Sequence, residues 1–194
     1  MDDLAENNTK QIAEIRHSIS LLLAIEKQSS KYFPLKGHIS FIKGKVLKES
    51  GEKRLPYLSL DSLNGSQEFS FSYDGIEAKK TDVLMLMDGA SSGAVYFGNE
   101  GYVGSTFAII RLDESVDSYV LFAVLREYQD TIKERTTGSA IPHADKHLIE
   151  ELGYPCLASS NAEKLHSLID RECNLLRQKR ILNKIKETLL NKYF

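Results

Sequence analysis

Apolar residues over the first thirty positions follow a helical rhythm. Ile12, Ile15, Ile19 and Leu22 are spaced three and four apart, which is one face of a helix, and Leu21, Leu23 and Ile25 widen that face. Asn8 or Thr9 is a suitable cap for its start. Pro34 closes it, because the residue before a proline avoids the helical region. The pattern predicts a helix over about residues 8–31. A longer helical pattern fills the end of the chain. Leu168, Leu175, Leu182 and Leu189 recur every seven residues, with Ile169, Leu176 and Leu190 beside them and Leu165, Ile181 and Ile185 broadening the stripe. Ser159, Ser160 and Asn161 offer caps, and Glu163 follows Ser160 at capping-box spacing. No Gly or Pro follows Pro155, so nothing interrupts a rod of roughly 50 Å. A heptad sustained that long is better explained by a helical partner than by a helix lying on its own domain.

Between the two helical stretches the period changes. Residues 55–60 alternate like a strand, and Phe69-Ser70-Phe71-Ser72-Tyr73 alternates strictly. Residues 83–87, 94–97 and 106–110 read as further short strands. Turn signals separate them at Asn64-Gly65, Asp74-Gly75, Asp88-Gly89 and Asn99-Glu100-Gly101. A helix then fits 118–135, with Tyr119, Phe122, Leu125 and Ile132 near one face, followed by a loop over 138–143 and a short helix over 144–152. The expected fold class is α+β: a globular mixed α/β domain over 35–158, between a helix in 1–34 and a heptad helix in 159–194. Paired antiparallel, the flanking helices form a coiled-coil stalk. Its seam would carry Ile12, Ile15, Ile19 and Leu22 on one helix and Leu168, Leu175, Leu182 and Leu189 on the other. The excess apolar width of both implies further helices, from a second copy or from a partner.

Composition changes this picture at two points. No unbroken apolar run, neither Leu21 to Ile25 nor Val120 to Leu125, approaches the roughly 20 residues a membrane span needs. The chain starts on acidic residues rather than on a basic and then apolar leader, so a cytoplasmic protein is expected. The charge is also uneven: residues 1–34 carry net −1, 35–158 net −5 and 159–194 net +4. A DNA-binding domain usually shows a basic footprint, so the middle segment's total speaks against one, and a local patch would have to supply it.

A search for chemistry finds little. There is no phosphate-binding or dinucleotide-binding glycine loop, no HExxH and no GxSxG. Gly89, Gly93, Gly98, Gly101 and Gly104 read as turn glycines. Cys156 and Cys173 form no CxxC pair, and His143 and His147 have no neighbouring ligands to complete a zinc set. Basic and hydroxyl residues do gather in loops: Lys43, Lys45 and Lys48; Lys53 and Arg54; Lys79 and Lys80; and Lys133, Arg135, Thr137, Ser139, His143 and Lys146 around one Gly-containing loop. Phosphate contacts use these residue types, and base edges are read by the same groups with carboxylates added. As ordinary solvated charges they need no function at all.

Three stretches, in order, carry a resemblance to a known family. Pro56-Tyr57-Leu58-Ser59-Leu60-Asp61-Ser62-Leu63 follows a basic, Gly-containing start at Ile42-Lys43-Gly44-Lys45. Thr81-Asp82-Val83-Leu84-Met85-Leu86-Met87-Asp88-Gly89 is followed by Gly93-Ala94-Val95 and Gly104-Ser105-Thr106. Thr137-Gly138-Ser139-Ala140-Ile141-Pro142-His143 precedes a short helix and the exit Leu152-Gly153-Tyr154-Pro155-Cys156-Leu157. With a conserved-region-like helix at each end, this order resembles one half of the specificity (S) subunit of Type I restriction–modification enzymes. Ala158-Ser159-Ser160-Asn161-Ala162-Glu163-Lys164 departs from the family's Pro-Pro-Leu-x-Glu-Gln start to its long helix.

The resemblance implies a half-length, non-catalytic subunit with one target recognition domain. It would read a half-site of double-stranded DNA and dock modification (methylase) subunits, with a restriction subunit as a further candidate partner. Its helices would dimerise. No cofactor would bind here, since S-adenosylmethionine, ATP and Mg would belong to partner subunits. Reading would rest on loops at 43–54, 79–80, 88–93 and 133–146, which adds Asp88, Ser91 and Ser92 to the candidates above, with Ser59 from the stretch at 56–63. Two alternatives stand beside it. One is an assembly or regulatory protein derived from an S subunit, with no DNA reading of its own. The other is a small enzyme using His143, Asp88 and Ser139.

Overall fold

The computed structural model describes residues 2–135 and 142–193, and the chain divides into two compact units. One is helical, Met1–Ser29 with Leu157–Phe194, and the other is Ser30–Cys156.

The helical unit consists of α1 (Asp2–Ser29) and, at the other end of the chain, a helix over Ser159–Tyr193. The first starts six residues before the expected cap. Asn8 is therefore not a cap but a seam residue, 3% exposed. It also stops five residues before Pro34. The two helices run antiparallel, as cross-contacts show: Glu26 accepts from Asn161, Arg16 Nε donates to Glu172 at 2.7 Å, and Arg171 donates to Gln11 at 3.2 Å. Asn161 thus bonds across the pair, although its position also suited a cap. Ile12, Ile15, Ile19 and Leu23 are buried opposite Leu165, Ile169 and Leu175. Leu22 and Leu168 are half-buried, each with a neighbour one position on taking the deeper place. Leu182 is half-buried, and Leu189 is exposed on the last turns with Ile181, Ile185 and Leu190.

The globular unit opens with β1 (Tyr32–Pro34), which follows the expected helix over 8–31 but falls inside the segment 1–34 assigned to it. Then come β2 (Ile39–Lys43), β3 (Leu55–Leu58), α2 (Leu60–Asn64), β4 (Phe71–Ser72), β5 (Glu77–Ala78), β6 (Val83–Leu86), β7 (Val95–Tyr96), β8 (Gly101–Val103) and β9 (Phe107–Leu112). They are followed by α3 (Ser118–Glu127), α4 (Gln129–Glu134), α5 (Lys146–Glu151) and β10 (Gly153–Pro155). The terminal helix of the chain is α6. The expected single helix over 118–135 breaks at Tyr128, whose φ of −93° and ψ of 5° lie outside the helical well. The break lets α4 bring Ile132 against Gly93, where a Cβ would meet the isoleucine at 2.7 Å.

Two four-stranded sheets form the body, in the orders β2-β9-β6-β7 and β4-β3-β8-β5, and β1 pairs β10 as a separate antiparallel ribbon. β3 and β8 are parallel, and every other strand pairing is antiparallel. β6 and the first four residues of β9 are buried throughout, so they read as continuous apolar runs rather than alternation. The core takes in Leu84, Leu86, Phe107 and Ile109 from this sheet, Leu58 and Val103 from the other, and Leu63 from α2. The sheets touch where Gly44 crosses Gly104. A Cβ on Gly44 would stand 2.3 Å from the Gly104 carbonyl oxygen, so only glycine lets these backbones approach.

Candidate nucleic-acid interface

β6 leaves the core at Leu86 and turns back at once. Leu86 and Ala94 close the turn (Leu86 N–H to Ala94 O, 2.8 Å), and Gly93 N–H returns to Leu86 O at 2.8 Å. Gly89 and Gly93, at φ of 107° and 89°, supply the left-handed positions this requires. The turn is anchored from two sides. Met87 and Asp88 N–H both point to Thr106 O, at 2.8 and 3.3 Å. The segment after α4 lies alongside, with Gly89 N–H to Pro142 O at 3.0 Å and Ala144 N–H to Met87 O at 2.9 Å. Asp88 and His143 face each other in an isolated antiparallel bridge.

This backbone brings three side chains together. Lys43 Nζ, at the end of β2, donates to Asp88 Oδ2 at 2.8 Å, and His143 Nδ1 meets Asp88 Oδ1 at 2.7 Å. Burial pushes the Asp88 carboxyl up, but the hydrogen bonds from Lys43 and His143 outweigh it and hold the carboxyl below the ordinary range. The ionised carboxylate only accepts, so the imidazole Nδ1 carries the proton. Lys146, opening α5, lies over the Phe41 ring at 5.3 Å. Lys133 is half-buried on α4, and Arg135 is exposed just past its end. Ser91 is exposed at the tip of the turn. Thr137 and Ser139 lie outside the described residues. The two described members of the enzymatic alternative, Asp88 and His143, do meet, but in an ion cluster shared with Lys43.

The other candidates fall elsewhere. Lys45 follows the Gly44 crossing, its N–H on Val103 O at 3.0 Å and its ammonium 3.9 Å from Asp74. Lys48 runs beside β4, where its backbone meets the Ser72 hydroxyl at 2.9 Å. Lys53 and Arg54 precede β3: Lys53 pairs with Glu77 at 2.7 Å, and the Arg54 guanidinium lies 3.8 Å over Phe71. Lys79 and Lys80 sit before β6, at the opposite end of that strand from Asp88, and Lys80 pairs with Glu100 at 3.7 Å.

Two candidates are structural. Ser59 is the N-cap of α2 and forms a reciprocal capping box with Ser62, so its hydroxyl is engaged in local structure. Ser92 is fully buried, which removes it from any reading surface. The sequence reading missed the acidic partners Asp74, Glu77 and Glu100 and the rings of Phe41 and Phe71. Asp74 and Glu100 were read only as turn residues and Phe71 only as a strand residue, and the acid as a whole showed only in the negative total of the domain.

The far end of the β2-β9-β6-β7 sheet carries a second polar cluster. His38 Nδ1 meets Asp113 at 2.8 Å and Ser115 Oγ at 3.0 Å, and Arg111 pairs with Asp82 at 3.2 Å. Hydrogen bonds from Ser115 and His38 hold the Asp113 carboxyl low. Serine and aspartate share the same ring nitrogen, so this is a closed polar knot rather than a proton relay. Among the described residues no group of three His, Cys, Asp or Glu is arranged to hold a metal, and no helix is long and apolar enough to cross a membrane.

No family model matches the chain. Over 170 residues, 80% of its length, it is 28% identical to the Type I restriction enzyme MjaVIII specificity subunit of Methanocaldococcus jannaschii, and it spans 40% of that relative. Among solved structures, the S subunit of a Type I restriction–modification system from M. genitalium superposes on 100% of the chain with a TM-score of 0.68 at 20% identity. Only 55% of that subunit is covered. A structure concerned with complex assembly and conformational transition of the type I R-M system aligns over 96% of the chain and 52% of its own, with a TM-score of 0.56 at 14% identity. The resemblance carried by the three sequence stretches is thus met in sequence and in fold: an α+β domain between two long helices, matching about half of an S subunit.

Proposed function

We propose that this chain is a DNA-reading, non-catalytic specificity subunit of a Type I restriction–modification system, in a form with a single target recognition domain. One observation carries the reading: the whole chain, stalk helices included, superposes on 55% of an S subunit. The knit turn at Asp88, with Lys43, His143 and Lys146 around it, is the reading edge this proposal favours. Charged donors and a carboxylate on a fixed backbone are the groups that contact phosphates and base edges. Methylation and cleavage, with S-adenosylmethionine, ATP and Mg, belong to partner subunits. The exposed Ile181, Ile185, Leu189 and Leu190 of α6 support helix-mediated assembly, including a homodimer that would read an inverted repeat of one half-site. The chain works in the cytoplasm, where its DNA is.

The test is selection from random duplex DNA by the chain assembled with modification subunits. Enrichment of one split motif is expected, and assembled complexes that enrich nothing overturn the proposal. A second reading, assembly without DNA reading, draws on the net −5 of residues 35–158. It predicts stable complexes that leave no footprint on DNA.

A further inference from the structure

The negative total of the globular unit has a definite spatial form. Four of the candidate lysines each meet a carboxylate from a distant part of the chain: Lys43 with Asp88 at 2.8 Å, Lys45 with Asp74 at 3.9 Å, Lys53 with Glu77 at 2.7 Å and Lys80 with Glu100 at 3.7 Å. None of these pairs is a helix i,i+4 contact. Each is made by strand register or by a loop crossing. The pattern therefore belongs to the fold and not to local sequence. All four lysine side chains are more than half exposed. Exposed pairs of this kind contribute little to stability, so they neutralise a cation without locking it away. A phosphate oxygen arriving at hydrogen-bond distance can take the place of the carboxylate.

Sequence-independent attraction to DNA comes from cations that displace the condensed counterions of the phosphates. A lysine already held by an internal carboxylate contributes less of that attraction, because the carboxylate must be displaced or left beside the phosphate. We propose that Asp74, Glu77, Asp88 and Glu100 are built-in counterions that suppress non-specific binding to duplex DNA and so make binding depend on a matching site. This rests on the DNA-reading proposal above. It adds a mechanism of discrimination by penalising wrong sequences as well as rewarding the right one.

The experiment compares two triple variants of the full chain, each removing three negative charges. One is Glu77→Gln, Asp88→Asn and Glu100→Gln; the other, a control, is Glu114→Gln, Asp130→Asn and Glu151→Gln, whose side chains are exposed and make none of these pairs. The probe is a labelled duplex of arbitrary sequence, titrated at several salt concentrations, with circular dichroism confirming that each variant is folded. The first variant is expected to bind at least about tenfold tighter than the natural chain at low salt. The slope of log affinity against log salt should steepen by about 2–3, near the 0.9 per phosphate contact of duplex DNA. The control should change affinity less than about threefold. Equal gains in both variants, or none in the first, overturn the proposal. The motif selection described above tests DNA reading separately. Masking with no motif enriched would remove the reading and leave the charge effect standing.

Discussion

The helical unit and the globular unit treat buried polarity in opposite ways. Glu26, Glu172 and Asn8 are buried at 6%, 2% and 3% exposure, all on the seam between α1 and α6. Among the described residues of the globular unit, the buried polar side chains are the hydroxyls of Ser62, Ser72 and Ser92, and no charged residue is buried. A seam of repeated leucines and isoleucines can pair in more than one register or with more than one partner. A buried ion pair or amide makes the wrong pairing expensive, because it strands a charge against apolar neighbours. A two-sheet core has no such ambiguity. The paired strand ladders and the Gly44–Gly104 crossing already set its register, and a buried charge there would only cost stability. The globular unit keeps its charges at the surface, where they can exchange partners.

The contrast can be strained at several points. The largest effect is expected from Phe107→Ala. This side chain is fully buried between the sheets, and its loss should cost about 3–5 kcal/mol in urea unfolding. Next comes Arg16→Met, which leaves the buried Glu172 without its guanidinium and should cost about 2–3 kcal/mol. The double variant Arg16→Met with Glu172→Leu should recover most of that loss in thermal melts. If the double variant is no more stable than the single, the ion pair is not what organises the seam. Ser59→Ala should cost about 1 kcal/mol through loss of the α2 cap while leaving DNA affinity unchanged. A fall in affinity without a fall in stability would return Ser59 to the reading surface.

The smallest effect is a pH dependence. The folded Asp88 carboxyl titrates below its unfolded value, so its contribution is present above the ordinary carboxylate range and is lost as pH falls through the folded value. Acid unfolding of Asp88→Asn should therefore be shallower than that of the natural chain. Identical acid limbs would show that Lys43 and His143 do not hold the carboxylate in solution.

How far the sequence revealed these features depended on length scale. The two long helices were legible because their rhythm persists over many turns, and they differ from the expectation at their ends and in one-residue shifts such as Leu22 for Leu23. β6 and β9 were legible as apolar runs. β4 and β7 fall inside the strands expected over 69–73 and 94–97, but β5 is two residues long, too short for any period to show, and β2 places Phe41 beside Ile42, which breaks alternation. The candidate edge around Asp88 was half legible. Asp88-Gly89 announces a turn, but nothing in sequence spacing brings Lys43 and His143 to the same carboxylate. That meeting depends on β2, β6 and β9 sharing a sheet. The counterion pairs were visible only as a net charge, which gives the amount of acid and not its address. The Ser59 and Ser62 capping box was hidden because a serine stands at the position where the usual signature has Glu or Gln.

The β1–β10 ribbon has a further consequence. Tyr32 pairs with Pro155 and Pro34 with Gly153, so the globular unit begins and ends at neighbouring points. In topological terms the unit is a cassette whose mouth is one strand pair wide. Joining its ends by a short linker, or opening it at the Asn64-Gly65 turn, would ask for little loop-closure entropy. A foreign domain with the same narrow mouth could replace it without stretching the chain. Sequence change in this unit need not proceed one residue at a time; it can proceed by exchange of the whole cassette.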